Sequence, residues 1–512
     1  MIAWITLALA QESSPTPADP TPAHEPPPTP PTPPTPTGAE VPPPPARPFP
    51  LSTTGEARLL GSLPPNFVAD TEGHEVGQGF VLESRARVGL TWTGSDWHAR
   101  TEWDLFSGQL AGDAWDIRGT EDARDRDVVG VWRPESFIPR RISADGMAGP
   151  IAVEAGLVTS HWGLGMLAND GAHDPYFGTD RFGDRVIRLR LATRPVPSFT
   201  LIAAGDRVIQ DEQATWSLWN GGQAAWQVLA SGIWASKTED RAGVYVVYRY
   251  QQEADGERTT QAGVFDGYVD WTEMIGTHQL RVAGEAAGIV GRTDRGQSYN
   301  SRDGLTVQSF GATGLVAFSP PSRRATATLR AGYASGDGNP DDGYSRDFTF
   351  DRDFDVGQVM FDEVQGAIDA ATYAQLSDPL HSGGAPDGAE LIVAEGAFRH
   401  AVFVQPVADA HFIPWLNVRV GATFAWNTAP ISAPFATYRN GGVPANQLGV
   451  PTEGYALGTE LDWAVTLGDT RVKLAKIETT PALLIQGGHY LASTDMGGGT
   501  HTLLTATGRV RW

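Results

Sequence analysis

In the stretch Glu83-Ser-Arg-Ala-Arg87, the two arginines, Arg85 and Arg87, stand two positions apart with Glu83 ahead of them in the same phase. The spacing recurs at Arg188 and Arg190 and at Arg509 and Arg511, and with opposite charge at Glu102 and Asp104 and at Glu460 and Asp462. On an extended strand, side chains two residues apart leave the same face, so each pair presents two like charges to one surface. Charges arranged along a wall hold, order and steer polar or charged solutes. They do not by themselves break bonds.

Bond-breaking chemistry finds no arrangement. Ser160 stands beside His161 in TSHWG, but neighbours on a strand point to opposite faces and do not form a nucleophile and base pair unaided. The 11 histidines are scattered, and no HExxH, GxSxG or phosphate-binding loop occurs, so no enzymatic activity is expected. Cysteine is absent, which removes disulfides, thiolate metal sites and lipid-modified cysteine.

What must position the charges is a sheet. From about residue 55, segments of alternating polarity recur between clusters of Gly, Asp, Asn, Ser and Pro. In WLNVRVGATFAW, Leu416, Val418, Val420, Ala422, Phe424 and Trp426 face one way, with Arg419 and Thr423 on the other. Candidate strands start near residues 55, 80, 96, 137, 150, 184, 199, 223, 240, 258, 277, 304, 323, 395, 415, 454, 470 and 501. Tight turns follow the even strands, as at TGSD (93–96), AGP (148–150), IGTH (275–278) and LGDT (467–470), while longer, acidic loops mostly follow the odd ones. One apolar and one polar face, an even strand number and this alternation of connections are what an outer-membrane barrel requires. The fold class expected is therefore all-β: a transmembrane antiparallel up-and-down barrel of about 18 strands over residues 51–512, with termini on the periplasmic side.

Aromatic placement agrees. Trp226 and Trp234 share the outward phase, and eight residues at about 3.3 Å with a tilt near 40° set them roughly 20 Å apart along the membrane normal, near the apolar band of about 25 Å. Trp92 and Trp97 flank a tight turn, and Trp426 and Trp512 end strands, so all six are expected in membrane girdles.

Phase then assigns the pore lining. Arg58, Arg85, Arg87, Arg100, Arg188, Arg190, Arg249, Arg281, Arg330, Arg419, Arg509 and Arg511 face inward, with Glu56, Glu83, Glu102, Asp104, Glu154, Asp266, Asp270, Glu285, Glu460 and Asp462. Strands 18, 1, 2 and 3 together form a basic wall opposite acidic strands 10 and 16, which would set a transverse field across the pore. Lumen ion pairs that stiffen the wall are the alternative.

The net charge of −22 and a pI near 4.8 argue against a nucleic-acid partner, which needs a basic face. Much of the acid lies in the connection 337–394. There Asp337, Asn339, Asp341 and Asp342, relieved by Gly338 and Gly343, offer oxygen ligands suited to a structural Ca²⁺ in the 337–355 loop; a solvated acidic loop is the plainer reading, and no other cofactor is expected. FDEVQGAIDAATYAQL has helical spacing, with Val364, Ile368 and Ala371 on one face, and can fold into the mouth as a constriction or lid or pack on the rim. Residues 1–10 read as the apolar core of a signal peptide, and residues 11–50, dense in proline, as a disordered polyproline II tether in the periplasm, able to reach peptidoglycan.

Two loop motifs, HWGLGMLANDG (161–171) and YASGDGNPDDGY followed by FTFDRDFDVGQVMF, resemble those of a family of uncharacterised bacterial outer-membrane proteins distantly similar to alginate export channels. The resemblance implies a single-chain barrel that passes solutes; alginate does not follow, because bases and acids nearly balance in the lumen. The aromatic end of the last strand likewise resembles the signal read by barrel assembly machinery. The expectation is an outer-membrane channel for passive diffusion or export of small hydrophilic or anionic solutes. The competing one is a closed-pore structural or adhesive barrel, linked to the cell wall by the proline tract.

Overall fold

A computed structural model describes residues 50–512 except 78, 113–136, 181–182, 212, 218–220, 238–239, 255, 299–300, 323, 340–341, 379, 381–395 and 475–476. The signal peptide, nearly all of the tether, Asp341 and the expected start of strand 14 at 395 lie outside the described residues.

The alternating segments form one closed antiparallel barrel of 18 strands. These are β1 (Leu51–Leu63), β2 (Val81–Thr93), β3 (Trp97–Gly112), β4 (Phe137–Ala148), β5 (Ile151–Thr159), β6 (Arg185–Val196), β7 (Phe199–Asp211), β8 (Ala224–Ala235) and β9 (Arg241–Gln252). There follow β10 (Thr259–Ile275), β11 (His278–Thr293), β12 (Leu305–Ser319), β13 (Ala325–Ala334), β14 (Ala401–Ile413), β15 (Leu416–Asn427), β16 (Ala456–Gly468), β17 (Ile477–Ala492) and β18 (Thr500–Arg511). Each pairs with its sequence neighbours, and β1 pairs with β18, Glu56 opposite Arg511 and Leu63 opposite Leu504. Closure leaves no strand edge unpaired. At the seam the Gly55 and Trp512 backbones exchange two hydrogen bonds of 3.0 Å, and the indole lies where a Cβ on Gly55 would fall, 2.3 Å from Trp512 Cζ2.

The alternation decides which face each side chain takes. Leu189, Val228, Val244, Phe265 and Val290 face outward, each more than half exposed. So broad an apolar exterior is a liability in water and the normal state of a barrel in lipid. Trp97, Trp226 and Trp426 are exposed on that surface, Trp92 and Trp234 half-buried, and Trp234 stacks on Trp271 at 6.2 Å between centroids.

Three boundaries differ from expectation. β1 begins at Leu51 rather than near 55, its first residues pairing with β2 up to Leu51 opposite Trp92. β14 begins at Ala401 rather than 395: Gly396 and His400 have positive φ, and Phe398 turns into the interior, so this segment crosses the mouth before the ladder starts. β17 begins at Ile477 rather than 470, because Val472–Leu474 folds back on Ile477–Thr479 as a small hairpin and lengthens the turn after LGDT. Pro481 is accommodated opposite Val510, its carbonyl accepting the Asp469 amide at 2.8 Å.

The interior is filled from the long-loop side. A hydrophobic cluster joins Phe348, Phe350, Phe354, Val359, Met360, Phe361, Val364, Ile368 and Phe398 of the 335–400 connection to inward residues of the wall, Phe403, Tyr490 and Leu503. Phe350 meets Phe348, Phe354 and Phe398 edge-on at 4.8–5.7 Å, pairs worth about 0.5–1.5 kcal/mol each beyond area burial. The helical spacing around 361–376 becomes a π-helical turn (Met360–Gln365) running into α1 (Gly366–Ser377), with Val364, Ile368 and Ala371 buried. A second short helix, α2 (Pro434–Arg439), lies in the 428–455 connection.

Candidate functional site

Nearly every inward base meets an acid. Arg87 reaches Asp104 at 2.7 Å, Arg100 reaches Asp145 at 2.8 Å, Arg188 reaches Asp206 at 2.7 Å and Arg190 reaches Glu154 at 3.2 Å. Arg249 meets Asp211 at 2.5 Å, Arg281 meets Asp270 at 2.7 Å and Arg419 meets Asp409 at 2.7 Å. Arg511 bridges Glu56 and Asp174, both at 2.7 Å, and Arg509 holds Asp174 at 2.9 Å. Arg330 differs: it donates to Gln405 Oε1 at 2.6 Å and lies 4.7 Å over the Tyr176 ring. Of the expected acids, Glu102 accepts from Arg140 at 3.2 Å, and Glu83 is half-buried beside a bulge in the β2–β3 ladder.

The expected transverse field is not the arrangement. Glu460 and Asp462 on β16 are covered by the 335–400 connection, and Asp266 and Glu285 accept hydrogen bonds from Trp162 Nε1 (2.8 Å) and the Leu164 amide. Ion pairs between neighbouring strands describe the wall instead. Most cross-link adjacent strands, and in a well-buried pair such as Arg188–Asp206 removing one partner leaves the other charge buried and alone, at a cost of about 3–5 kcal/mol.

The connection 160–184, between β5 and β6, folds into the lumen and spans it. Trp162 stacks on Tyr245 at 5.0 Å and anchors one end against β9 and β10. The chain then passes the Arg87 side chain, which donates to the Gly171 carbonyl at 3.1 Å, and reaches β18 at Asp174. Arg419 donates to the Tyr176 carbonyl at 2.7 Å, Phe177 packs against Val407 and Ala464, and Gly178 exchanges hydrogen bonds with the Gln486 side chain. Gly421 permits this crossing, since a Cβ there would fall 2.7 Å from the Phe177 ring. Asp180 finally receives Arg58 at 2.8 Å and Arg85 at 2.7 Å. Burial pushes the Asp180 carboxyl up, but those two guanidiniums outweigh it and hold it well below the usual carboxylate range.

The 335–400 connection docks by a different device. The Glu460 carboxylate, 0% exposed, accepts the amides of Gln358 (2.6 Å), Val359 (2.8 Å) and Met360 (2.7 Å) at the start of the π-helical turn. Gln358 in turn donates to Asp462 Oδ1 at 3.2 Å. An anion among orphan amide donors at a helix start satisfies all of them together. Two described acids of this connection are held by backbone amides: Asp351 accepts those of Asn169 and Asp353, both at 2.8 Å, and Asp369 accepts that of Gly396 at 3.2 Å. The first pairing also ties the two inward loops together. In the proposed cation loop, Asp337 accepts the Asn339 and Arg346 amides, Asp342 receives the Arg346 guanidinium at 3.0 Å, and burial raises the Asp337 carboxyl.

On the short-turn side a recess of about 210 Å³ is left between loop and wall, lined by Arg58, Tyr176, His411, Arg419, Gln486, Arg509 and their neighbours. Ser160 accepts from Arg188 at 3.2 Å.

Several participants were not foreseen. Asp206 and Asp409 share the inward phase of their strands and were open to the same counting that found the arginines. Asp174, Tyr176 and Asp180 lie in a loop, where no period marks a direction.

No family model matches the sequence, and no curated protein matches it. Among solved structures, a BenF-like porin from Pseudomonas fluorescens Pf-5 is similar over 90% of this chain and 99% of its own, with a TM-score of 0.51 at 10% identity. Acinetobacter baumannii OccAB1 is similar over 90% and 96%, with a TM-score of 0.49 at 10% identity. At such identity the likeness to the BenF-like porin shows the fold, a closed antiparallel 18-strand barrel.

Proposed function

We propose that the protein is an outer-membrane channel through which small hydrophilic or anionic solutes pass by diffusion, its short turns and both termini on the periplasmic side. The observation that carries this reading is an apolar exterior around an inner wall lined by paired charges, with a recess left beside the inward loop on the short-turn side. The recess lined by Arg58, Arg419 and Arg509 supports a preference for anions, since three guanidiniums border it. Lipid is then the surrounding partner, the aromatic last strand the part handed to the assembly machinery, and the proline tract the reach toward peptidoglycan. Kinship with alginate export channels, carried by the two loop motifs, extends to architecture and not to alginate. Bases paired one by one with acids leave no continuous basic surface for a polyuronate.

Purified protein in planar bilayers tests the proposal. Stepwise single-channel currents are expected, with reversal potentials in a salt gradient that shift when Arg85, Arg87 and Arg509 are neutralised. No steps in the full chain or after deletion of 337–394 would sink the channel reading. The second reading, a closed structural or adhesive barrel, is favoured by one feature: the Phe350 cluster fills the long-loop half of the lumen. Steps seen only in the deletion variant would support it.

A further inference from the structure

We propose that His161, Asp170 and His173 form a binding site for a borderline divalent metal ion of the Zn²⁺ class at the root of the inward loop. Among the described residues these three are the group whose ligand atoms, one from each, all fall within 4.8 Å of one another. Asp170 Oδ1 lies 3.0 Å from His173 Nδ1 and 3.8 Å from His161 Nδ1. Ligands at about 2.0–2.1 Å around a tetrahedral ion stand roughly 3.3 Å apart, so the set closes when the half-exposed His173 ring turns off the His161 ring to aim its nitrogen at the same ion. Two imidazoles and one carboxylate suit Zn²⁺, Ni²⁺ or Co²⁺ far better than Ca²⁺ or Mg²⁺, which prefer oxygen throughout.

An independent observation points to a ligand. His161 Nδ1 is buried and makes no hydrogen bond, so it has lost its water without a replacement partner. A metal ion would take that lone pair. The backbone has already brought the ligands together: the Trp162 amide donates to the Ala168 carbonyl at 3.0 Å, closing the 162–168 segment so that His161 and Asp170 become neighbours. Gly165 at positive φ makes the closure possible, since a Cβ there would lie 3.3 Å from His161 Cε1. The two imidazoles stack at 4.1 Å between centroids, and the Ala172 amide orients Asp170 through Oδ1 at 3.0 Å. His173 is 39% exposed, which gives an ion a way in and leaves a coordination position toward solvent.

Charge nearby sets the strength. Arg140 and Arg87 donate to the Asp170 and Gly171 carbonyls, and two guanidiniums weaken any cation site. Asp104 offsets both, 2.7 Å from Arg87 and 3.6 Å from Arg140. A weaker site than the same three ligands would make without the guanidiniums follows. Such an ion would clip the loop's root at His161 to its turn at Asp170–His173, fixing the segment that spans the lumen.

The full chain, purified in detergent and stripped with a chelator, would be titrated with Co²⁺ and read by its visible ligand-field absorption, then competed with Zn²⁺. One equivalent of Co²⁺ is expected, with intense absorption marking low coordination. H161A and H173A should each weaken binding by more than the about 10–100-fold typical of losing an outer-shell partner, while H411A, in the recess, leaves it unchanged. His173 is partly exposed, so H173A keeps the fold even where H161A does not, and heat-resistant migration in detergent gels checks each variant. Absent absorption, or absorption undiminished in a folded H173A, overturns the proposal. The readout is equilibrium binding and owes nothing to channel activity, so the two proposals fail separately.

Discussion

Replacing Glu460 by alanine removes the acceptor shared by three buried amides. Each hydrogen bond to a charged acceptor contributes about 1.5–3 kcal/mol, and a buried donor left without a partner loses its full solvation as well. Three such bonds would total about 4.5–9 kcal/mol if they were independent; water entering the gap Glu460 leaves reduces this to about 4 kcal/mol for holding the π-helical turn in place. At 1.4 kcal/mol per tenfold, the local opening equilibrium shifts about a thousandfold toward the released state. Hydrogen exchange read by mass spectrometry on peptides spanning 354–366 should show that acceleration, while exchange in the β10–β11 ladder stays slow. E460Q should fall between, since its amide keeps one acceptor oxygen but turns an N–H donor toward another. Unchanged protection of 354–366 in both variants would refute the assignment of Glu460 as the anchor, and with it the idea that this connection is held by its backbone amides.

Three further outcomes are expected. R85A takes one of two bases from Asp180 and one of two from Glu56, which keep Arg58 and Arg511, and should loosen the inward loop by about 1.5–3 kcal/mol, seen as noisier single-channel currents and as cleavage near 172–182 by added protease; a quiet, resistant variant would contradict the pinning. Because the Asp180 carboxyl is held below its unfolded value, its contribution is complete above the ordinary carboxylate pKa near 4 and is lost as pH falls further, so loop protection should be equal at pH 7 and pH 5 and decline only below about pH 4. L189R, on the exposed outer face near the middle of β6, should cost about 2–4 kcal/mol in urea unfolding from lipid vesicles; a neutral or stabilising result would place that face in water.

The barrel was legible because its signals are local and periodic. Period-two alternation in segments such as Leu416–Trp426 places each strand, and short turns alternating with long loops give the order. Errors fell where a signal other than alternation governs: Gly396 and His400 at positive φ delay β14, and the small hairpin at 472–479 delays β17. The inward arginines were legible by the same phase, yet their partners were only half so. Asp206 faces Arg188 across one ladder rung, as β pairing dictates, whereas Asp180 reaches Arg85 from a loop 95 positions away and no local pattern announces it. The acids of the 335–400 connection were legible as charges, but the amides that meet some of them were not, because sequence counts charges and not amides. Asp351, Asp353 and Asp369 are buried, and the amides that neutralise Asp351 and Asp369 belong to backbone that every residue carries.

The loop that spans the lumen holds both sides of the barrel's seam, Asp174 on Arg509 and Arg511 of β18 and Asp180 on Arg58 of β1. It cannot take its final place until the first and last strands have met, so it is among the last parts to set. Once set, it acts as a crossbar: flattening the ring would have to stretch ion pairs on one side while crushing Trp162 against Tyr245 on the other. The width of the barrel is therefore maintained by a strut as well as by the count of strands, and a barrel without it should breathe.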